Sequence, residues 1–327
     1  MTSHPDLDGR VEHRTIETNG IELHVALAGP DDGELVVLQH GWPECWFSWR
    51  HQLLGLADAG YRVAAPDGRG YGTSAKPAEI ERYTVLDVVG DLVGLVGALD
   101  RTECTLVGHD WGALVTWPAA LLRPDLFTAV CGMSVPYGPG FRFGQIELPP
   151  TEVLAAVSGD QFHYMLFFQQ LDAHEDLDAH REDILRNLYT DPGVTTAISG
   201  TSATLLSETL GAPPDTTPAW LPEDELAVFL DSFERSGFEG GINWYRNLDR
   251  SYRLLSAWRD VPIPVPATFI AGALDGVVAA TQSDIDRHPE TCADYRGTHL
   301  VDGCGHWVQQ EAPDEVNRLL LEFLAGT

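Results

Sequence analysis

The chain has a single lysine, Lys76, and 20 basic residues in all against 49 acidic ones. The resulting formal charge of −29 argues against partners that are themselves polyanions, because nucleic acid and anionic membrane surfaces would repel it. We read the acidity as a solvated surface that serves solubility. Cysteine is scarce. Cys45, Cys104, Cys131, Cys292 and Cys304 are odd in number and show no Cys-x-x-Cys spacing. A disulfide framework or a metal site is therefore not expected, and a reducing cytoplasm is. Long apolar runs are missing too. None approaches the roughly 18 residues that would span a bilayer, and the first residues, MTSHPDLDGRVEHR, contain no apolar core of a secretory signal. There are no internal repeats and no low-complexity segments. What remains is ordinary for a globular protein, with 44% apolar and 21% charged residues. The length of 327 residues suits one large domain, or one domain with an insertion.

Hydrophobic patterning predicts alternating strands and helices in the first part of the chain. Val11–Thr18 and Ile21–Leu27 read as strands joined at Asn19-Gly20, a strong hairpin signal. Leu35–Gln39 is a short continuous apolar run, as expected of a strand covered on both faces. A helix over Ser48–Ala59, a strand over Tyr61–Ala65, a helix over Val85–Leu99, a strand at Thr105–Val107, a helix over Ala113–Leu122 and a strand over Phe127–Met133 follow. From Tyr137 to Tyr252 the pattern turns helical and loop-rich, with a proline-rich stretch at Gly211–Pro222. Strands resume at Ala267–Ala271 and Thr298–Val301, and a last helix is predicted over Pro313–Leu324. The fold class is α/β, a mostly parallel sheet with an antiparallel start. The organisation expected is a core in two parts, residues 1–136 and 253–327, with residues 137–252 inserted as a helical cap over the strand edge where such sheets bind ligands.

The most informative segment is Gly108-His-Asp-Trp-Gly112, which follows the apolar run Cys104–Val107. It has the small-x-nucleophile-x-small pattern of a nucleophile elbow, a sharp strand-to-helix turn that lifts one side chain above the sheet. The position usually held by serine carries Asp110. A carboxylate attacks saturated carbon by displacement and becomes an ester, so the chemistry expected is epoxide opening or halide loss rather than acyl transfer. Such an ester must then be hydrolysed by water, with a base to activate it and an acid to hold the base. The elbow implies the chain order nucleophile, acid, histidine. Asp275 directly follows the strand Ala267–Ala271, and no carboxylate follows Met133–Pro136, so Asp275 is the expected acid. His306, in the glycine-flanked loop Gly303-Cys-Gly-His-Trp307, is the expected base. His40-Gly-Trp-Pro43 follows the strand Leu35–Gln39. The backbone N–H groups of Trp42 and Trp111 are therefore the expected oxyanion hole, and Pro43 suggests a cis peptide bond after Trp42. His40 is read as a loop-packing residue. Glu44 is either a buried support or a helix-start residue.

Taken together, His40–Arg50, Ala59–Gly72, Gly108–Gly112, Asn243–Asn247 and Gly303–Trp307 resemble the epoxide hydrolases of the α/β-hydrolase fold, the C-terminal domain of the soluble mammalian enzyme and its bacterial relatives. The resemblance spans most of the chain. It implies an eight-stranded, mostly parallel sheet flanked by helices, no cofactor or metal, and a covalent ester on Asp110 resolved by water that His306 and Asp275 activate. It further implies two cap tyrosines that grip the epoxide oxygen. Phe162-His-Tyr-Met-Leu-Phe-Phe-Gln169 places the first at Tyr164, and Asn243-Trp-Tyr-Arg-Asn247 places the second at Tyr245. A phenol with pKa near ~10 can protonate a nascent alkoxide in a dry pocket. Trp111 and Phe162 are expected to contact the substrate. The partners expected are a small apolar epoxide and water, with no nucleic acid and no membrane; the chain could also pair as a homodimer. The competing reading is a haloalkane or fluoroacetate dehalogenase built on the same aspartate. Trp111 suits both families, whereas Pro43 and Tyr245 favour the epoxide enzyme. A non-catalytic small-ligand receptor could dispense with Asp110, Asp275 or His306, all of which are kept. A serine esterase would need serine at position 110.

Overall fold

The computed structural model describes residues 7, 9–138, 148–190 and 200–327. Its centre is an eight-stranded sheet in the order β1-β2-β4-β3-β5-β6-β7-β8. The strands are β1 (Glu12–Thr18), β2 (Ile21–Ala28), β3 (Leu35–Gln39), β4 (Arg62–Pro66), β5 (Cys104–His109), β6 (Phe127–Met133), β7 (Ile263–Gly272) and β8 (Cys292–Val301). β1 and β2 form the antiparallel hairpin, turned at Asn19 and Gly20 with φ of 47° and 72°, the positive values a two-residue turn requires. β2 pairs with β4 antiparallel, and every pairing from β4 onward is parallel.

The central strands are buried on both faces, and alternate residues feed two different cores. Leu35, Val37 and Leu106 point to the core that holds α2 (Val85–Ala98), α3 (Trp111–Leu122) and the inserted helices. Val36, Leu38 and Val107 point to the core beneath α1 (Arg50–Asp58) and the last helix, Pro313–Leu324. The helices between Pro150 and Leu255 lie in the chain between β6 and β7 and are tied down onto the loops of the sheet. Trp244 Nε1 donates to Arg69 O at 3.1 Å, Tyr189 Oη to Pro43 O at 2.5 Å, and Trp307 Nε1 to Leu188 O at 3.0 Å.

Three elements depart from the patterning for a local physical reason. The first helix begins as a 3₁₀ turn, Trp46–Trp49, and is α-helical only from Arg50. β7 starts four residues earlier than its apolar run, through Pro264 and Pro266, and its register with β8 shifts between Ile263 and Pro266, as expected where proline cannot donate to the ladder. β8 is ten residues long, although its sequence, CADYRGTHLV, has no apolar run. It is an edge strand, and its pairing with β7 defines it more than burial does.

Chain order places the site. From β3 the chain moves outward to β4, then crosses back over β3 to β5. The loops at the C-terminal ends of β3 and β5 therefore diverge, leaving the crevice in which open α/β sheets bind ligands. Trp42 lies after β3 and Asp110 after β5.

Candidate active site

Asp110 sits between β5 and α3 with φ 52° and ψ −118°. Such a conformation costs a non-glycine residue about 1–3 kcal/mol, and the surroundings enforce it. Its N–H donates to Met133 O at 3.2 Å, and its carbonyl accepts from Ala113 N at 3.0 Å. Gly112 is needed because α3 starts in contact with β3: a Cβ there would run into the carbonyl of Gln39. The Asp110 carboxylate is held from both sides of the crevice. Trp42 N donates to Oδ1 at 2.8 Å, and the Trp111 N–H points to the same carboxylate. The Trp42-Pro43 bond is cis. Burial raises the Asp110 pKa above the ordinary value, against the pull of His306, His109 and these two N–H groups.

Asp275 follows β7 and caps a short helix, Gly276–Ala280, by accepting from Val277 N at 2.9 Å. Its other oxygen is 3.0 Å from His306 Nδ1, and His306 Nε2 is 3.8 Å from Asp110 Oδ2. Burial works against protonation of His306, but Asp275, then Asp110 and Glu44, outweigh it and bring the pKa up to about 9. Asp275 shows the reciprocal effect: burial favours its neutral form, yet His306 and the Val277 N–H leave its pKa lowered.

The loop that carries His306 rests on a second, fully buried pair. His109, next to the elbow aspartate, donates from Nε2 to His306 O at 2.8 Å and faces Glu44 Oε2 with Nδ1 at 2.7 Å. Both its nitrogens thus meet oxygen atoms of the site. Glu44 also accepts from Gly41 N at 3.0 Å, from Gln309 Nε2 at 2.9 Å and from Gln310 Nε2 at 3.3 Å. Burial alone would raise its pKa, but His109, then the Gly41 N–H, hold it at about 2. Glu44 is thus the buried support and not a helix-start residue. His109 does not stand out in the sequence, where its adjacency to Asp110 is the one available signal. His40 packs as expected, accepting from Gly68 N at 2.9 Å.

From the helical side, Tyr164 and Tyr245 are brought over the same carboxylate. Tyr164 opens the short helix Tyr164–Phe167, and Tyr245 lies on the helix Glu239–Arg246. Their ring centroids are 5.8 Å apart. The Tyr245 ring stands edge-on to Trp111 at 4.9 Å, to Phe168 at 5.0 Å and to Trp42 at 5.7 Å. Gln169 Nε2 donates to Tyr245 O at 3.1 Å and ties the two segments together. Burial, then Tyr164 and the Asp110 charge, pushes the Tyr245 phenol well up; burial, then Asp110, does the same for Tyr164. Both phenols therefore stay neutral donors. A largely apolar cavity of about 990 Å³, counted with its mouth, opens from Asp110, Trp111, Tyr164 and Tyr245. Phe162 does not reach its wall; its ring packs 5.6 Å from that of Phe167.

Residues 34–313 match the family model of the alpha/beta hydrolase fold, which defines the class of the protein. The chain is 40% identical over 324 residues to Epoxide hydrolase A of Mycobacterium tuberculosis, covering 97% of this chain and 98% of that one. The solved epoxide hydrolase from an endophytic Streptomyces superimposes with a TM-score of 0.91 at 42% identity, covering 97% of this chain and 96% of that one. Epoxide Hydrolase A from Mycobacterium thermoresistibile gives a TM-score of 0.89 at 41% identity, covering 97% and 98%. Within the α/β-hydrolase fold, the chain belongs to the epoxide hydrolases. Among the described residues, no helix is long and apolar enough to cross a membrane.

Proposed function

We propose that the protein hydrolyses an epoxide to a vicinal diol in two steps, through an ester on Asp110. In the first step Asp110 Oδ2 attacks a ring carbon, the carbon–oxygen bond breaks, and the ring oxygen takes a proton from the Tyr164–Tyr245 pair. In the second, water attacks the carbonyl carbon of the ester and gives a proton to His306, while the Trp42 and Trp111 N–H groups receive the oxyanion. Collapse of the tetrahedral species expels the diol, which leaves with the proton from His306. The remaining proton restores the phenol, and Asp110 returns as a carboxylate containing one oxygen from water.

The observation that carries this reading is the placement of two neutral phenols and one imidazole around a single elbow carboxylate. The electrostatics support the order of steps. Before alkylation His306 lies between two carboxylates and keeps its proton, which it yields to solvent once the ester forms and regains when the Asp110 carboxylate returns. Ester formation neutralises Asp110, removes one of those attractions, and lowers the imidazole pKa when a base is needed. In this reading residues 137–252 serve as the cap over a core made of residues 1–136 and 253–327. Five buried, unpaired cysteines support a reducing, cytoplasmic setting.

One turnover in heavy-oxygen water tests the mechanism. The first diol should be unlabelled and the label should reside in the Asp110 carboxylate. A labelled first diol would mean that water attacks the epoxide directly.

A further inference from the structure

Among the described residues, the cavity runs from Asp110 along α3. Trp111, Leu114, Trp117 and Leu121 lie along one face of α3 and form its wall. The ten steps from Trp111 to Leu121 give it a run of about 15 Å at the helical rise. Leu255 and Trp258, which follow the inserted segment, line it as well. Behind His306, by contrast, the space is filled. The Trp307 ring abuts His306 at 4.7 Å and Tyr189 at 4.8 Å. Tyr189 is pinned to Pro43 O and Trp307 to Leu188 O, and neither side chain is more than 2% exposed. Phe168 closes the flank, edge-on to Trp42 at 5.0 Å. None of these residues lines the cavity.

We propose that the site selects epoxides carrying one long apolar arm on one ring carbon, with the other ring carbon bare or bearing no more than a methyl group. The inference rests on the epoxide-opening reading above. It follows from packing: an arm laid along α3 exchanges water for apolar contact, whereas a second arm must displace Trp307, Tyr189 or Phe168 from a close-packed wall.

The test is kcat/KM for terminal epoxyalkanes from butene oxide to dodecene oxide, beside symmetrical internal epoxides of the same carbon number. Terminal substrates should gain about two- to fourfold per methylene until the cavity is full, and the symmetrical isomers should fall roughly ten- to hundred-fold behind. Leu121→Trp, which shortens the cavity at its far end, should lower the ratio of long to short substrates. Equal rates for one-armed and two-armed isomers, or no dependence on chain length, overturns the proposal. Binding of alkane diols, followed by tryptophan fluorescence, separates this from the activity reading. Length-dependent affinity for terminal diols alone, with no epoxide turned over, would keep the one-sided cavity and reject the activity. Indifference to length and to arm position would reject the cavity inference itself.

Discussion

On the sheet side of the site the working groups are charged and held by the backbone and by ion pairs; on the helical side they are neutral and held by aromatic rings. Asp110 is gripped by two N–H groups, Asp275 by the Val277 N–H, and His306 by His109 and Ser134 through its carbonyl. Tyr164 and Tyr245 instead stand among Trp42, Trp111 and Phe168, with the Gln169 amide joining their segments. The difference follows from desolvation. A buried carboxylate or imidazolium needs opposite charge and donors to stay ionised, and the loops at a sheet edge converge to supply them. A phenol needs none, and burial among rings keeps it protonated and ready to donate.

The comparison is open to direct attack, and the sheet side should show the largest effect. His306→Gln should lower steady-state turnover by roughly 10²–10⁴-fold while leaving alkylation intact. Intact-mass spectrometry after mixing with substrate should then show an adduct at Asp110. An inactive variant with no adduct would move His306 into the first step. On the helical side, Tyr164→Phe and Tyr245→Phe should each slow alkylation about ten- to hundred-fold, the worth of one hydrogen bond to a charged oxygen, and the double variant should nearly abolish it. Pre-steady-state rates untouched by the double change would make both residues packing groups.

Two further measurements sharpen the contrast. Glu44→Gln should cost about 3 kcal/mol of stability near neutral pH, because it removes the buried carboxylate that His109, Gly41, Gln309 and Gln310 share. Glu44 has its pKa lowered from 4.5 to about 2, so its contribution is present above the unfolded value and fades as pH falls towards the folded one. Denaturant midpoints of wild type and variant should therefore converge in acid, and a gap that widened there would refute the pairing. The smallest effect is a shift in midpoint. Ester hydrolysis should rise with pH as His306 loses its proton, and its midpoint should lie below about 9, the free-enzyme value, because the ester has lost the Asp110 charge. A single-turnover pH series with a midpoint at or above that value would contradict the exchange of charges.

Much of this was legible in the residues, for reasons that differ from segment to segment. The elbow is readable because glycine at 108 and 112 and a nucleophile between them answer a local constraint: α3 begins where a side chain would strike β3. β3 and β6 are readable because strands buried on both faces need continuous apolar runs. β8 was only half legible, since an edge strand can be polar. Glu44 admits two readings in the sequence and His109 is silent there, because residues 65 apart in the chain meet only across the crevice.

Residue order alone sets the alternation of strands and helices, the strained turn that presents Asp110, and the order in which Asp275 and His306 follow it. Each of these is a local demand of backbone geometry or of side-chain period, and a few neighbouring residues suffice to state it. The pairing of Glu44 with His109 beneath His306, the distance of Phe162 from the cavity wall, and the course of the cavity along α3 with Trp307 and Tyr189 packed behind His306 emerge in the folded chain alone. These depend on which side chains fill the space between elements far apart in the chain, and close packing is a property of the assembled layers that no periodicity records.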